Sequence, residues 1–339
     1  MPTADLPQFA DLNAFTAHVA ALPGPDPQGR QAARERDAQL TKPAGALGRL
    51  EALAEWHRGW RPGRAPLGLP QIAVFAADHG VAARGVSAFP AAVTAQMLAN
   101  FRAGGAAINQ LAISLGARLD VIDCGVGRPT ADFTEGPAMT EAECLAALAQ
   151  GWAAIDPRAD LFVAGEMGIG NTTSAAALAA ALFGGAAEDW IGRGTGVDDA
   201  GLARKAQAVA AGLARHAPCP PMEALRRLGG REIAAMTGAF AAARAHRIPV
   251  VLDGFIACAA AATLHCAVPG SLDHCVAGHL SAEAGHGRML DALGLDPILR
   301  LDMRLGEGSG AATAALVVRA ALACHAGMAT FAQAGVAEG

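Results

Sequence analysis

The segment Leu161-Phe162-Val163-Ala164-Gly165-Glu166-Met167-Gly168-Ile169-Gly170-Asn171-Thr172-Thr173 decides the fold. Its first four residues are apolar and predict a buried strand, and the alanine-rich residues 174–182 predict a helix. A glycine-rich turn therefore leads from a strand into a helix. Glycines let the backbone approach a ligand closely, and the free N–H groups at a helix start favour an anion. The acid within the turn, Glu166, indicates a ligand that carries a basic or N–H-bearing part as well as a phosphate.

Strands and helices alternate on both sides of this segment. Apolar runs predict strands at residues 72–76, 119–122 and 249–252, with a weaker one near 272–276. Such alternation with helices implies right-handed crossovers and a mostly parallel sheet, so we expect an α/β fold with helices flanking the sheet. The predicted helices are 93–115, interrupted at Gly104-Gly105, then 141–150, 200–216, 232–245, 255–265, 283–293 and 309–323.

The chain before residue 60 has helical patterns, at residues 32–40 and 47–56. A Pro- and Gly-rich break at residues 61–70 follows and is the best candidate for a domain boundary. Because 339 residues exceed what one compact core usually holds, we expect one large domain with a smaller appendage.

The composition excludes several function classes. The net charge of −5, with acids and bases interspersed, argues against nucleic acid or an anionic membrane as the main partner. The seven cysteines form no C-x-x-C pair, which favours buried free thiols in a reducing cytosol over disulfides or zinc. Residues 1–5 lack signal-peptide features, and the late apolar segments are interrupted by residues such as Asp253, His265 and Arg319. We therefore expect a soluble, cytoplasmic protein with no membrane span.

Polar motifs follow the ends of the predicted strands. Asp78, Asp123, Glu166 and Asp253 each stand at or just after a strand end. Open α/β sheets bind ligands at the carboxyl edges of their strands, so one cleft can gather these acids.

Glu307 stands between glycines in Leu305-Gly306-Glu307-Gly308-Ser309-Gly310, just before a predicted helix. One interpretation is a capping acid favoured by the helix dipole. The alternative is a catalytic base, because flanking glycines let a ligand ring lie against the carboxyl group and exclude water, which raises its pKa. Lys205 is likewise either a solvated surface charge or a point charge that reaches a phosphate.

Histidines and methionines give no metal or cofactor motif. The spacings around His79, His274, His279 and His286 match no zinc pattern, which favours structural or orienting roles. Met97 is better explained as core or pocket wall than as part of a cofactor site. We expect neither a metal site nor a covalent nucleophile.

Seven motifs stand in order along the chain, and with them residues 40–325 resemble the nicotinate-nucleotide–dimethylbenzimidazole phosphoribosyltransferase family of cobalamin lower-ligand synthesis. The glycine-acid turn and the last motif are specific together. The motifs are Lys42-Pro43-x-Gly45-x-Leu47-Gly48-Arg49-Leu50-Glu51, Ala77-Asp78-His79-Gly80, the turn at 165–173, Met236-Thr237-Gly238, Leu252-Asp253-Gly254-Phe255, Ser281-Ala282-Glu283 and Met303-Arg304-Leu305-Gly306-Glu307-Gly308-Ser309-Gly310.

The resemblance implies a Rossmann-like large domain at residues 66–309, a small helical domain built from residues 1–65 and 310–339, and a homodimer. It implies transfer of phosphoribose from nicotinate mononucleotide to 5,6-dimethylbenzimidazole, which yields α-ribazole 5′-phosphate and nicotinate. No metal or organic cofactor is expected. The alternatives are a same-fold transferase that activates another base, such as adenine, benzimidazole or a phenol, and a non-catalytic nucleotide sensor.

The resemblance also assigns roles, with Glu307 as the general base and attack that inverts C1′. Phe89 and Met97 stand where some family members carry a serine and a glutamine, and this more apolar wall would suit a dimethylated ring. The expected base-contacting residues are Glu166, Leu305, Phe89 and Met97. The expected phosphate- and nucleotide-binding residues are Gly168, Gly170, Asn171, Thr172, Lys205 and Ser281, and the secondary candidates are Asp78 and Asp253.

Overall fold

A five-stranded parallel sheet forms the centre of the protein, in a computed structural model that describes residues 8–63, 67–194 and 196–337. The strand order is β2-β1-β3-β4-β5, and every pair is parallel. The α/β prediction is therefore confirmed, and the weak fifth strand is real. The strands are β1 (Pro70–Ala76), β2 (Arg118–Asp123), β3 (Leu161–Met167), β4 (Val250–Leu252) and β5 (Cys275–Ala277).

Fourteen α-helices surround the sheet within the described residues. The predicted helix at 93–115 is two helices, because the first one ends at Gly104 with φ +82°. The helices are α1 (Leu12–Ala20), α2 (Pro27–Asp37), α3 (Arg49–Trp60), α4 (Ala92–Ala103), α5 (Ala107–Leu115), α6 (Glu141–Ala153), α7 (Asn171–Phe183), α8 (Asp199–His216), α9 (Pro221–Leu228), α10 (Arg231–Ala245), α11 (Phe255–Ala267), α12 (Ala284–Leu293), α13 (Ser309–Gly327) and α14 (Phe331–Ala334).

Helices cover both faces of the sheet because the strands are apolar on both sides. In β1, Ala73 and Phe75 face one core cluster, whereas Ile72 and Val74 face the other. This alternation follows from the two-residue period of a strand. Helices α6, α7, α10 and α11 cover the first face, and α3, α5 and α13 cover the second.

A second, two-stranded parallel sheet pairs β6 (His279–Leu280) with β7 (Leu299–Arg300). Neither strand is predicted from the sequence, because two residues are too few to show a periodic pattern. Strand β6 carries the chain from the large sheet towards the segment at 281–283.

The two chain ends pack together through α2, α3 and α13. Arg36 donates hydrogen bonds to the carbonyl oxygens of His325 (2.7 Å) and Ala326 (2.8 Å). Helix α1 instead packs into the first core cluster, where Phe15 is fully buried. The predicted boundary at residues 65/66 and the start of the chain at residues 1–5 both lie outside the described residues. The division into two domains stays a prediction.

Within the described residues, one helix, α13, is long and apolar enough to cross a membrane by length and composition. Half of its apolar window is buried inside the protein. Ala311, Ala315 and Val318 are fully buried against the sheet and neighbouring helices. This burial is typical of a core helix. All seven cysteines are free, as predicted, but only Cys124, Cys144, Cys258 and Cys275 are buried, and the other three are partly exposed.

Candidate active site

A cavity of about 100 Å³ lies beyond the carboxyl ends of β3, β4 and β6. Parallel strands present their carboxyl ends at one edge, and segments distant in sequence meet there. Of the predicted site residues, Gly168, Leu305 and six polar residues line the cavity, and three further polar residues join them. The polar lining residues are Glu166, Asn171, Thr172, Asp253, His279, Ser281, Glu283, Arg304 and Glu307.

The glycine-rich turn ends at the start of α7, as predicted. Gly170 precedes the helix with φ +96°, and no side chain caps the first turn. Asn171 and Thr172 line the cavity at this uncapped helix start. The N–H groups of Asn171 and Thr173 donate to the carbonyl oxygens of Gly168 and Gly170, so the positive end of the helix dipole is the main feature that favours a phosphate here.

Lys205 lies behind this helix start rather than on the cavity wall. It is 2% exposed, and its Nζ donates to Thr172 Oγ1 and to the Gly192 carbonyl oxygen, both at 3.0 Å. Burial lowers the pKa of Lys205, and the negative charge of Glu283 acts in the opposite direction. Its nearest link to a bound phosphate is therefore the Thr172 hydroxyl, and its role in phosphate binding stays a prediction.

Glu166 occupies the end of β3 and is buried. Burial is the main cause that raises the pKa of Glu166 to about 8, and the negative charge of Glu232 is the second. A hydrogen bond from Asn171 Nδ2 to Glu166 Oε2 acts in the opposite direction. Glu166 is therefore a largely protonated acid at neutral pH.

Glu307 is held in an uncommon backbone conformation between its glycines. Its φ is +63°, a region that L-residues rarely occupy and that is found at functional sites. A Cβ atom at Gly165 would overlap the backbone of Glu307, so the close approach of the two turns requires glycine there. The two glycine-rich turns of the sequence are thus in direct contact.

The carboxyl group of Glu307 is poorly satisfied. The residue is 6% exposed, and Oε2 has no hydrogen-bond partner. Burial raises the pKa of Glu307, and the negative charge of Asp253 adds to this, whereas the Ile108 backbone N–H at the start of α5 opposes it. A desolvated carboxylate with a raised pKa is a stronger base than one in water.

Asp253 lines the cavity and holds the start of α13. Its two oxygens accept hydrogen bonds from the backbone N–H groups of Gly308 (3.2 Å) and Ala311 (2.8 Å). The side chain therefore fixes the backbone on the C-terminal side of Glu307. The sequence placed Asp253 at the cleft edge without a role, and these contacts supply one.

Residues 22–336 match the family described as Phosphoribosyltransferase. A nicotinate-nucleotide–dimethylbenzimidazole phosphoribosyltransferase of Ruegeria pomeroyi is 62% identical over 335 residues, 98% of this chain and 100% of that protein. The protein of the same name from Cereibacter sphaeroides is 61% identical over 334 residues, 98% of this chain and 99% of that one. The chain belongs to the nicotinate-nucleotide–dimethylbenzimidazole phosphoribosyltransferase family.

Solved structures agree with this family assignment. A crystal structure of the Thermus thermophilus protein of the same name has a TM-score of 0.85 and 45% identity, and the match covers 93% of this chain and 100% of that one. A second structure, described as CobT from Thermus thermophilus, has a TM-score of 0.86 and 46% identity over 92% of this chain and 100% of that one. The chain is a phosphoribosyltransferase, and the resemblance seen in its motifs is confirmed.

Several predicted residues of this phosphoribosyltransferase do not line the cavity. Phe89 is 50% exposed, and Met97 packs partly against the second core cluster, so their roles as base-contacting residues stay predictions. Asp78 accepts a hydrogen bond from the Gly127 backbone N–H at 2.7 Å, which ties the end of β1 to the loop after β2. Gly170 and Lys205 do not line the cavity either, and Lys205 contacts the lining residue Thr172.

Sequence reasoning missed three polar residues of the cavity wall. His279 was given a structural role, whereas Glu283 and Arg304 were quoted in motifs without a role of their own. His279 lies in the short strand β6, which was not predicted. The expectation that site residues follow the ends of predicted strands therefore did not include it. Among the described residues, no group of three or more His, Cys, Asp or Glu side chains is arranged to hold a metal ion.

Proposed function

We propose that this phosphoribosyltransferase moves the phosphoribosyl group of nicotinate mononucleotide to 5,6-dimethylbenzimidazole, giving α-ribazole 5′-phosphate and nicotinate. One observation carries the proposal. The uncapped start of α7 and the desolvated carboxyl group of Glu307 belong to two touching turns and line one cavity. An anion site and a base side by side suit a nucleotide and an N–H-bearing ring.

The phosphate would bind at the start of α7. Asn171 and Thr172 present this helix start to the cavity, and Ser281 and Arg304 lie on the same wall. Arg304 Nη1 donates to the Gly194 carbonyl oxygen at 3.1 Å, which leaves further guanidinium donors for an anion. Backbone N–H groups and a charged donor together are typical of phosphate sites.

The base would carry its N–H towards Glu307. As one ring nitrogen attacks C1′, the proton on the other nitrogen passes to Glu307, and the C1′–N bond to nicotinate breaks. The electron pair of that bond returns to the nicotinate ring nitrogen, which loses its positive charge. Attack from the face opposite the leaving ring inverts C1′ and gives the α linkage. Holding the attacking ring nitrogen about 3–3.5 Å from C1′ supplies much of the remaining rate.

Glu166 would help by staying protonated. With a pKa of about 8 it adds little negative charge near Glu307 at neutral pH. Its protonated oxygen can donate a hydrogen bond, which an ionised carboxylate cannot. Glu307 would then accept the proton as the base, and Glu166 would be a neutral hydrogen-bond donor beside it.

The test is to mix nicotinate mononucleotide with dimethylbenzimidazole and to measure nicotinate release and α-ribazole 5′-phosphate by chromatography. Release should require the base, so a reaction without dimethylbenzimidazole is the control. Tight nucleotide binding without turnover would support a nucleotide sensor instead. In competition with adenine, benzimidazole and phenol, a strong preference for another base would keep the reaction class but change the acceptor.

We also propose, from the family resemblance, that the protein acts as a cytoplasmic homodimer. Light scattering of the purified protein would measure its mass, and a monomer mass would contradict the dimer. Fractionation of the producing cells would test the compartment.

A further inference from the structure

His279 is a buried histidine on the cavity wall without a hydrogen bond. It is 3% exposed, and neither Nδ1 nor Nε2 has a partner among the described residues. The nearest charged atom is Asp253 Oδ1, 3.6 Å from Nε2, and both oxygens of Asp253 already accept backbone N–H groups at the start of α13. Buried polar side chains are nearly always satisfied, so an orphaned ring that lines a cavity indicates a missing ligand atom.

The His279 ring is held in place by its surroundings. A Cβ atom at Gly310 would overlap the ring, so α13 packs directly against it. The His286 ring lies edge-on with centroids 6.0 Å apart, but its Nδ1 accepts the Ser281 backbone N–H at 2.9 Å and is occupied. The ring therefore cannot satisfy itself by moving towards these neighbours.

His279 lies beside Ser281 on the cavity wall. A Cβ atom at Gly254 would lie 3.6 Å from His279 Nε2 and 3.8 Å from Ser281 Oγ, so both side chains border the open space above Gly254. One nucleotide that fills this space can therefore contact both side chains. With the phosphate near Ser281, the ribose comes to His279.

We propose that His279 binds a ribose hydroxyl of the nucleotide substrate and thereby selects ribonucleotides over deoxyribonucleotides. An imidazole offers one donor and one acceptor in its neutral form, and a hydroxyl group can satisfy either. The inference rests on the proposed function, because it takes nicotinate mononucleotide as the substrate.

The experiment compares nicotinate mononucleotide with its 2′-deoxy and 3′-deoxy analogues in the wild-type protein, His279→Ala and His279→Asn. We expect the wild type to lose about tenfold in kcat/KM when the contacted hydroxyl is removed, the usual size of one hydrogen bond. With nicotinate mononucleotide, His279→Ala should have a kcat/KM about tenfold lower than that of the wild type. Removal of the contacted hydroxyl from the substrate should lower the kcat/KM of this variant no further. His279→Asn, which keeps a donor and an acceptor, should recover part of the loss.

Ser281→Ala is the matched control. It removes a hydroxyl at the proposed phosphate end. The factor by which it lowers kcat/KM should therefore multiply with the factor caused by either deoxy analogue. If the factor by which His279→Ala lowers kcat/KM multiplied fully with the factors of both analogues, the proposal would be overturned. The ring would then have only a structural role. If the alanine variant does not fold, calorimetric binding of the two deoxy analogues to the wild type still tests the contact, because the analogue that lacks the contacted hydroxyl should bind more weakly.

The failure of this inference can be told from failure of the proposed function. If the wild type does not release nicotinate, the reaction is wrong. The same three ligands can then be compared by calorimetric binding to the wild type and His279→Asn. Equal affinity for all three ligands in the wild type would overturn the ribose contact whichever reaction the protein catalyses.

Discussion

At the residue scale, Glu307 is the side chain on which turnover should depend most. Glu307→Gln keeps the shape but cannot accept the proton, so we expect turnover to fall roughly 10²–10⁴-fold. Nucleotide affinity should change little, because the phosphate end of the cavity is intact. Steady-state rates of nicotinate release, together with calorimetric binding, measure both.

The control for this change is Glu188→Gln, an exposed acid outside the cavity, which should leave the rate unchanged. Near-normal turnover in Glu307→Gln would remove Glu307 from the role of base.

Glu166 should make the wild-type protein less stable as pH rises. Its pKa is about 8 in the folded protein against 4.5 in the unfolded chain, so between these values the native state binds more protons. The free energy of unfolding contributed by this group is therefore full below pH 4.5 and is lost as pH rises towards 8. Glu166→Gln removes the titration, so the stability of the variant relative to the wild type should increase across this window.

Urea unfolding of both proteins at the two ends of the window measures this difference. One pKa unit corresponds to about 1.4 kcal/mol, so the trend is measurable. A difference that stays constant with pH would show that Glu166 titrates normally in the folded protein.

The sequence predicted Glu166 and Glu307 but not His279, and the reason lies in their neighbours. Flanking glycines mark the two acids as backbone positions that another group must approach. His279 has no such mark, because its environment is made by Gly310, Gly254 and Asp253, which the chain brings close only after folding. A lone histidine in a sequence therefore cannot be separated from a structural one.

At the element scale, Asp253 should control both the start of α13 and the placement of Glu307. Asp253→Ala removes the acceptor for two backbone N–H groups, so we expect a loss of about 1–2 kcal/mol in the free energy of unfolding. Turnover should fall more than nucleotide affinity, since the base is displaced. Asp26→Ala, which removes the cap of α2, should cost similar stability without a change in kcat. Equal kcat effects in the two variants would refute the positioning role.

Gly165 should tolerate no side chain, because its neighbour is the backbone of Glu307. We expect Gly165→Ala to lose about 1–3 kcal/mol of stability, the usual cost of overpacking, and to lower turnover as the two turns separate. Gly24→Ala is the matched control, because a Cβ atom there has no neighbour within 4 Å. Thermal unfolding and nicotinate release would check both, and a stable, fully active Gly165→Ala would contradict the contact.

The elements that could be predicted are those long enough to show a periodic or continuous apolar pattern. Strands β1 and β3 and helices α6 and α11 are long enough for their apolar runs to be seen. Helix α9 was missed because it has eight residues and begins at a Pro-rich segment, which looks like a loop although proline suits a first helical turn. Strand β6 was missed because two residues show no alternation.

At the scale of the whole molecule, the site is assembled from segments near residues 166, 253, 279 and 307. A ligand that joins them should stabilise the folded protein against unfolding. Nicotinate mononucleotide at about 100 times its Kd should add about 2.7 kcal/mol and raise Tm. Glu307→Gln should keep this increase, because the phosphate end is unchanged. A thermal shift assay measures it, and the absence of a shift in the wild type would contradict nucleotide binding.

The overall fold could be predicted because alternation of strands and helices restricts topology to a parallel sheet. The strand order and the contact between the two glycine-rich turns could not be predicted. They depend on contacts between residues more than a hundred positions apart, such as Gly165 with Glu307.

Helix α13 is fastened at both ends by side chains from elsewhere in the chain. Asp253 holds its first N–H groups and Arg36 holds its last carbonyl oxygens, each with the charge that the helix dipole favours. Its 19 residues form a rod about 28 Å long that connects the Glu307 turn to the packed chain termini. With Glu307 as the proposed base, we therefore expect a change at the distant Arg36 to shift the start of α13 and so to lower the rate of turnover.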